Sequence, residues 1–147
     1  MSIIHYKTTN TIIDMLTEKD YCDYETSVSL KELGYDELCE GYYHLTDDED
    51  YNQLSFEWCC GRDFQNSLNR WRVGAPLLYE AQKWLREEKN IIVEVFVDDD
   101  SDTPITYNIY KDGDCVCHHH GKYWSVKEWS EVFLEGIKEA VKILKEK

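Results

Sequence analysis

No apolar run in this sequence approaches the length of a membrane span, and residues 1–6 lack the apolar core of a signal peptide. Neither a membrane protein nor an exported one is expected, and the expected compartment is the cytoplasm. The six cysteines then read as reduced thiols rather than as a disulfide framework. Basic residues are also scarce. Sixteen Lys and Arg face 30 Asp and Glu, for a net charge of −14 and a pI near 4.6. Nucleic acid and anionic membranes both demand cationic surface, so direct binding to either is disfavoured.

The signatures of common enzyme classes are missing too: there is no G-x-S-x-G, P-loop, H-E-x-x-H or Rossmann glycine pattern. Asp98, Asp100 and Asp102 take positions 1, 3 and 5 of a calcium loop. The loop then fails, because Thr103 stands where Gly is required and Ile109 where the closing Glu belongs. His5 and His44 are isolated, and a Cys–His nucleophile would need Cys59 or Cys60 with a histidine far along the chain. No catalytic residue and no cofactor is expected.

What is present suits a globular domain. At 147 residues and 42% hydrophobic, the chain is expected to form one domain with a core of its own. The clearest signal is in residues 74–97, GAPLLYEAQKWLREEKNIIVEVFV. Pro76 suits a first helical turn, and Leu77, Leu78, Ala81, Trp84 and Leu85 recur at helical period. Asn90 tolerates the left-handed conformation that stops a helix. The pattern then switches to period two through Ile91, Val93, Val95 and Val97, with both faces largely apolar, which predicts a central strand.

Around that unit, helices are expected at residues 10–18 and 26–34, the second capped by Thr/Ser and stopped by Gly34. Strands are expected at 40–45 and 54–59, forming a hairpin across an acidic turn. Residues 61–73 have no clean period and read as a connection. Residues 105–110 pair back on 91–97, and 115–120 form a third short strand or an irregular stretch. Ser125 to Glu128 reads as a capping box opening a helix to about Leu144, with a stripe through Val126, Trp129, Phe133, Ile137, Ala140, Val141 and Leu144. The order α-β-β-α-β-β-α predicts an α+β fold: an antiparallel sheet of about four strands with helices packed on one face.

Three segments, LKELGYDELCEGYY, APLLYEAQKWLREEKNIIVEV and YWSVKEWSEVFLEGIKEAVKIL, resemble in order and spacing a group of small proteins encoded by phages and mobile elements of gut-associated anaerobic bacteria. The likeness spans about residues 28–145 and departs from the group's pattern at Glu37-Leu38-Cys39, where a proline usually precedes the cysteine. It supplies no binding or catalytic residue. What it implies is a setting, in which accessory genes often encode inhibitors or sponges aimed at host machinery and so evade host defence.

Two stretches carry candidate chemistry. The chain has four arginines, and Arg62, Arg70 and Arg72 fall within residues 61–73 beside one acid, Asp63, so this window is net positive inside a strongly acidic protein. Trp71 and Phe64 add aromatic planes. Arginine forks beside an aromatic ring are a common way to hold a phosphate-bearing nucleotide. The plainer reading is three arginines pairing with surplus surface carboxylates. The second stretch is Cys115-Val-Cys-His-His-His120. In a regular strand Cys115, Cys117 and His119 share one face and could hold zinc, although the spacing is not that of a structural zinc site. Buried small apolar thiols are the plainer reading.

The leading expectation is a small non-enzymatic binding protein of phage or mobile-element type. It would sequester a nucleotide-like anionic ligand through Arg62, Arg70, Trp71 and Arg72. The alternative is an acidic inhibitor that covers a basic surface on a host protein, and the third is a Cys/His metal binder. A homo-oligomer is compatible with all three.

Overall fold

A computed structural model of the chain describes residues 16–45, 54–58, 72–98, 105–118 and 128–146. Within them lie three α-helices, α1 (Tyr24–Glu32), α2 (Leu78–Lys89) and α3 (Trp129–Lys145), and a short 3₁₀ turn at Glu18–Asp20. The described residues also form six strands: β1 (Gly41–Leu45), β2 (Leu54–Trp58), β3 (Arg72–Ala75), β4 (Ile91–Val97), β5 (Ile105–Lys111) and β6 (Asp114–His118). They form two antiparallel three-stranded sheets, ordered β2-β1-β3 and β4-β5-β6. The class is α+β as expected, with two sheets in place of one.

The second sheet holds the main core. Ile91 and Val93 of β4 and Ile105, Tyr107 and Ile109 of β5 are buried on one face. Leu78, Ala81, Trp84 and Leu85 of α2 and Val132, Ile137, Ala140 and Val141 of α3 join them in one cluster. Helix α3 comes unusually close. A Cβ on Gly136 would sit 2.6 Å from Val93 Cγ1, so only glycine fits without displacing a side chain. The buried stripe of α3 therefore runs through Val132 and Gly136, and Trp129, expected inside, is exposed.

Strand β4 is an edge among the described strands, not the expected centre, because β5 takes the middle. Ile92 and Glu94 on its outer face are exposed. Its open side is partly covered by α2, where Gln82 Nε2 donates to the Val93 carbonyl at 2.6 Å. Asn90 ends α2 in the left-handed conformation (φ 52°, ψ 39°), as read from the sequence. The β5–β6 hairpin turns on Asp112 and Gly113, both at positive φ (51° and 88°), the backbone that a two-residue hairpin turn of matching twist requires.

The first sheet is smaller and packs mainly through aromatic rings. Tyr43 of β1 and Phe56 of β2 meet at 5.3 Å between centroids, and Tyr21 lies 5.0 Å from Phe56. Gly41 is needed beneath this stack, since a Cβ there would reach 2.6 Å from the Phe56 ring. A side-chain bond and a main-chain bond tie this sheet and the chain after β3 to Cys22. The Tyr43 hydroxyl donates to the Cys22 carbonyl at 2.9 Å, and the Cys22 amide donates to the Pro76 carbonyl at 2.9 Å.

Several boundaries differ from the sequence reading. Helix α1 starts two residues before Thr26, and its cap is Asp23, whose carboxylate accepts from the Thr26 amide at 2.9 Å. Gly34 lies at φ 106° just past the helix, as expected for a stop. Residues 72–75, divided in the sequence reading between a connection and a helix start, form β3. Pro76 and the N-cap Leu77 precede α2 in consequence. The helix expected at residues 10–18 lies outside the described residues except for Leu16, Thr17 and Glu18, and the Ser125 to Glu128 box lies outside except for Glu128.

Candidate functional site

Strand pairing gives the first sheet an inner and an outer face. Gly41 and Tyr43 point inward with Phe56, Val73 and Ala75. Alternation therefore sends Tyr42, His44, Ser55, Glu57 and Arg72 outward. Gly74 is the residue opposite Tyr42, and its missing side chain leaves the ring open to Arg72, the next outward residue along β3. The guanidinium sits 5.6 Å from the Tyr42 ring centroid. The Tyr42 hydroxyl donates to Glu57 Oε2 at 2.7 Å, which fixes the ring from the other strand.

Arg72 is exposed, and among the described residues it makes no ion pair. A fork with an aromatic plane behind it and water in front can take a phosphate or carboxylate with two parallel hydrogen bonds. Glu57 adds a negative charge on the far side of Tyr42, so the favourable approach for an anion is from the β3 side. Arg62, Arg70 and Trp71, expected to act with Arg72, lie outside the described residues. They belong to the stretch that enters β3 at Arg72. Tyr42 was not among the expected site residues. Its signal was the outward register of GYYHL, which cannot be assigned before the partner strands are known.

Described residues elsewhere line two further concavities. One, of about 610 Å³, is lined by Thr17, Glu18, Lys19, Tyr21, Tyr43 and Leu134, among others, where the 3₁₀ turn faces the start of α3. Its floor is aromatic, and burial followed by the nearby Glu18 and Asp23 carboxylates pushes the Tyr43 phenol well above its usual range. The other, of about 420 Å³, runs along α2 from Tyr79 to Glu88. Tyr35, Trp84, Tyr79 and Leu38 supply apolar surface, and Glu37, Glu80, Glu87 and Glu88 outnumber Lys83. Burial, then Glu80 and Glu40, raises the Tyr79 phenol.

The Cys/His strand does not present the expected shared face. The β5–β6 register pairs Tyr110 with Cys115 but Ile109 with Cys117, so Val116 is an extra residue in a bulge. Neighbouring residues of β5 point to opposite faces, and the two thiols follow them. Cys117 packs against the main core, whereas Cys115 is exposed. Burial, then Glu139 and Cys115, raises the Cys117 thiol. His118 hydrogen-bonds through Nδ1 to Asn108 opposite, and His119, the third expected ligand, lies outside the described residues. Among the described residues no three His, Cys, Asp or Glu side chains converge as a metal site would require.

Compared with protein-family models, with curated proteins and with solved structures, the chain matches none. Its chemistry therefore has to be read from its own residues. No helix among the described residues is long and apolar enough to cross a membrane.

Proposed function

We propose that this chain is a non-catalytic binding protein, of the kind carried by phages and mobile elements, that sequesters a nucleotide-like anion. The ligand would sit on the outer face of the first sheet, on Arg72 backed by Tyr42, with Arg62, Arg70 and Trp71 contributed by the preceding stretch. The observation that carries the reading is the Arg72–Tyr42 stack. It sets an exposed guanidinium, without an ion pair among the described residues, over an aromatic ring on a protein whose net charge is −14. Such a cation, set where long-range repulsion of anions is strong, has to act through close bidentate contact rather than through attraction at a distance.

The test is calorimetric titration with nucleoside mono-, di- and cyclic phosphates against wild type, Arg72→Glu and Tyr42→Ala. Arg72→Glu should abolish binding and Tyr42→Ala should weaken it about tenfold, the worth of an exposed cation–π contact plus a lost base plane. Binding that survives Arg72→Glu unchanged would overturn the reading. A second reading, docking of the acidic surface onto a basic surface of a host protein, draws its support from the charge balance. It predicts a complex that weakens steeply with salt.

A further inference from the structure

We infer that the groove along α2 is a docking site for a basic segment of a partner protein, one with Arg or Lys on either side of an apolar residue. The inference rests on the second reading above and names the surface that would carry it. The groove has the two components such a segment needs. Tyr79 is 61% exposed and Leu38 51% exposed, a large outlay of apolar surface for residues flanking a cavity. Beneath them Tyr35 and Trp84 form a floor, with their rings edge to face at 5.3 Å. That floor is rigid, since Tyr35 is 1% exposed and Trp84 8%. An apolar side chain entering here would lie against the exposed Tyr79 ring and Leu38, above that buried floor.

The rim matches the flanking charges. Glu87 and Glu88 are exposed on α2, Glu37 lies across the groove, and Lys83 is the one basic residue among the lining side chains. Glu80 is partly occupied, because it accepts from the Leu77 amide at 3.0 Å and closes the helix N-terminus. The wall already receives one cation from the chain itself: the Lys89 ammonium sits 5.5 Å from the centroid of the Trp84 ring. A partner's arginine would extend this arrangement with a flatter, less hydrated cation that stacks and pairs with a carboxylate at once. The Arg72 face repels such a segment, so the two surfaces take ligands of opposite sign.

The experiment is fluorescence polarisation with a labelled peptide of sequence Gly-Arg-Arg-Leu-Arg-Arg-Gly, at low and moderate salt. The wild-type chain should bind it, and Tyr79→Ala and the double variant Glu87→Lys/Glu88→Lys should each weaken binding about tenfold. A control with the same charge change placed elsewhere, Glu25→Lys/Glu146→Lys, should cost less than about threefold, as expected for distant screened charges. Equal losses in the control and the groove variant would mean diffuse attraction and would overturn the inference. So would no peptide binding, or competition by spermine as effective as by unlabelled peptide. Tyr79, Glu87 and Glu88 are exposed, so their variants should fold, and nucleotide titration of each reports on the Arg72 face separately.

Discussion

The two sheets have the same number of described strands and the same antiparallel pairing, yet they are stabilised in different ways. The β4-β5-β6 sheet is covered by two helices, its inward residues are mostly aliphatic with Tyr107 among them, and α3 approaches so closely that a Cβ at position 136 would press on Val93. The β2-β1-β3 sheet has a small, ring-rich inner face and an outer face of Tyr42, His44, Ser55, Glu57 and Arg72. Aliphatic burial on a close-packed face supplies stability without directional chemistry. An open polar face contributes little stability and holds groups that can bind. On the proposed reading, the division of labour is between a scaffold sheet and a presenting sheet, joined through Cys22, Tyr43 and Pro76.

Core truncation should separate the two most strongly. Ile109→Ala, in the middle of the scaffold sheet, should cost about 3 kcal/mol in urea unfolding, the usual value for a buried Ile truncated to Ala. Tyr42→Ala on the presenting sheet should stay within about 0.5 kcal/mol, because it removes outward contacts only. A similar cost for both would erase the distinction. Gly136→Ala comes next, at about 2 kcal/mol, since the added methyl must push Val93 aside. A neutral or stabilising result would show that α3 can shift away from the sheet at little cost.

Smaller effects sharpen the link between helices. Burial alone would raise the Asp23 carboxyl. Hydrogen bonds from Lys138 and Thr26 outweigh that effect and hold it below its usual value. Lys138 is raised in turn by Asp23, which it meets at 2.8 Å. Asp23→Asn keeps a cap but loses the ion pair, and should cost about 0.5 kcal/mol at pH 7, as expected for a partly exposed pair. The sign of its pH dependence follows. The wild-type advantage is complete above about pH 4, where the unfolded carboxyl is ionised, and fades as pH falls through the lower folded value. On the alkaline side it fades as pH rises through the elevated Lys138 value. Parallel pH–stability curves for wild type and Asp23→Asn in acid would sink this assignment. The smallest expected effect is kinetic. Among the four described cysteines, alkylation followed by peptide mass mapping should modify Cys115 first, Cys117 several-fold more slowly, and Cys22 and Cys39 only on unfolding.

How far the sequence disclosed this depends on where the specifying information sits. Helix α2, its stop at Asn90, and β4 with β5 were legible, because a strong period carries each one locally. The rank of β4 in its sheet was not, since I-I-V-E-V-F-V is apolar on both faces and a strand's neighbours are set by the rest of the chain. Strand β3 escaped because its four residues include Gly74 and Ala75, and its pairing partner β1 lies some thirty residues earlier. The bulge at Val116 moved Cys115 off the face of Cys117, an offset that alternation alone does not show. At the site, the concentration of arginine was visible in composition. The Tyr42 ring behind Arg72 depends on register and on the bare Cα of Gly74 opposite.

The most direct measurement is native mass spectrometry of untagged protein taken gently from cells that express a candidate host system, for wild type and Arg72→Glu in parallel. Retained mass of a few hundred daltons on the wild-type chain, absent from Arg72→Glu, is the expected result and would also identify the ligand. A bare wild-type chain, or the same retained mass on both, would contradict an anion held on the Arg72–Tyr42 face.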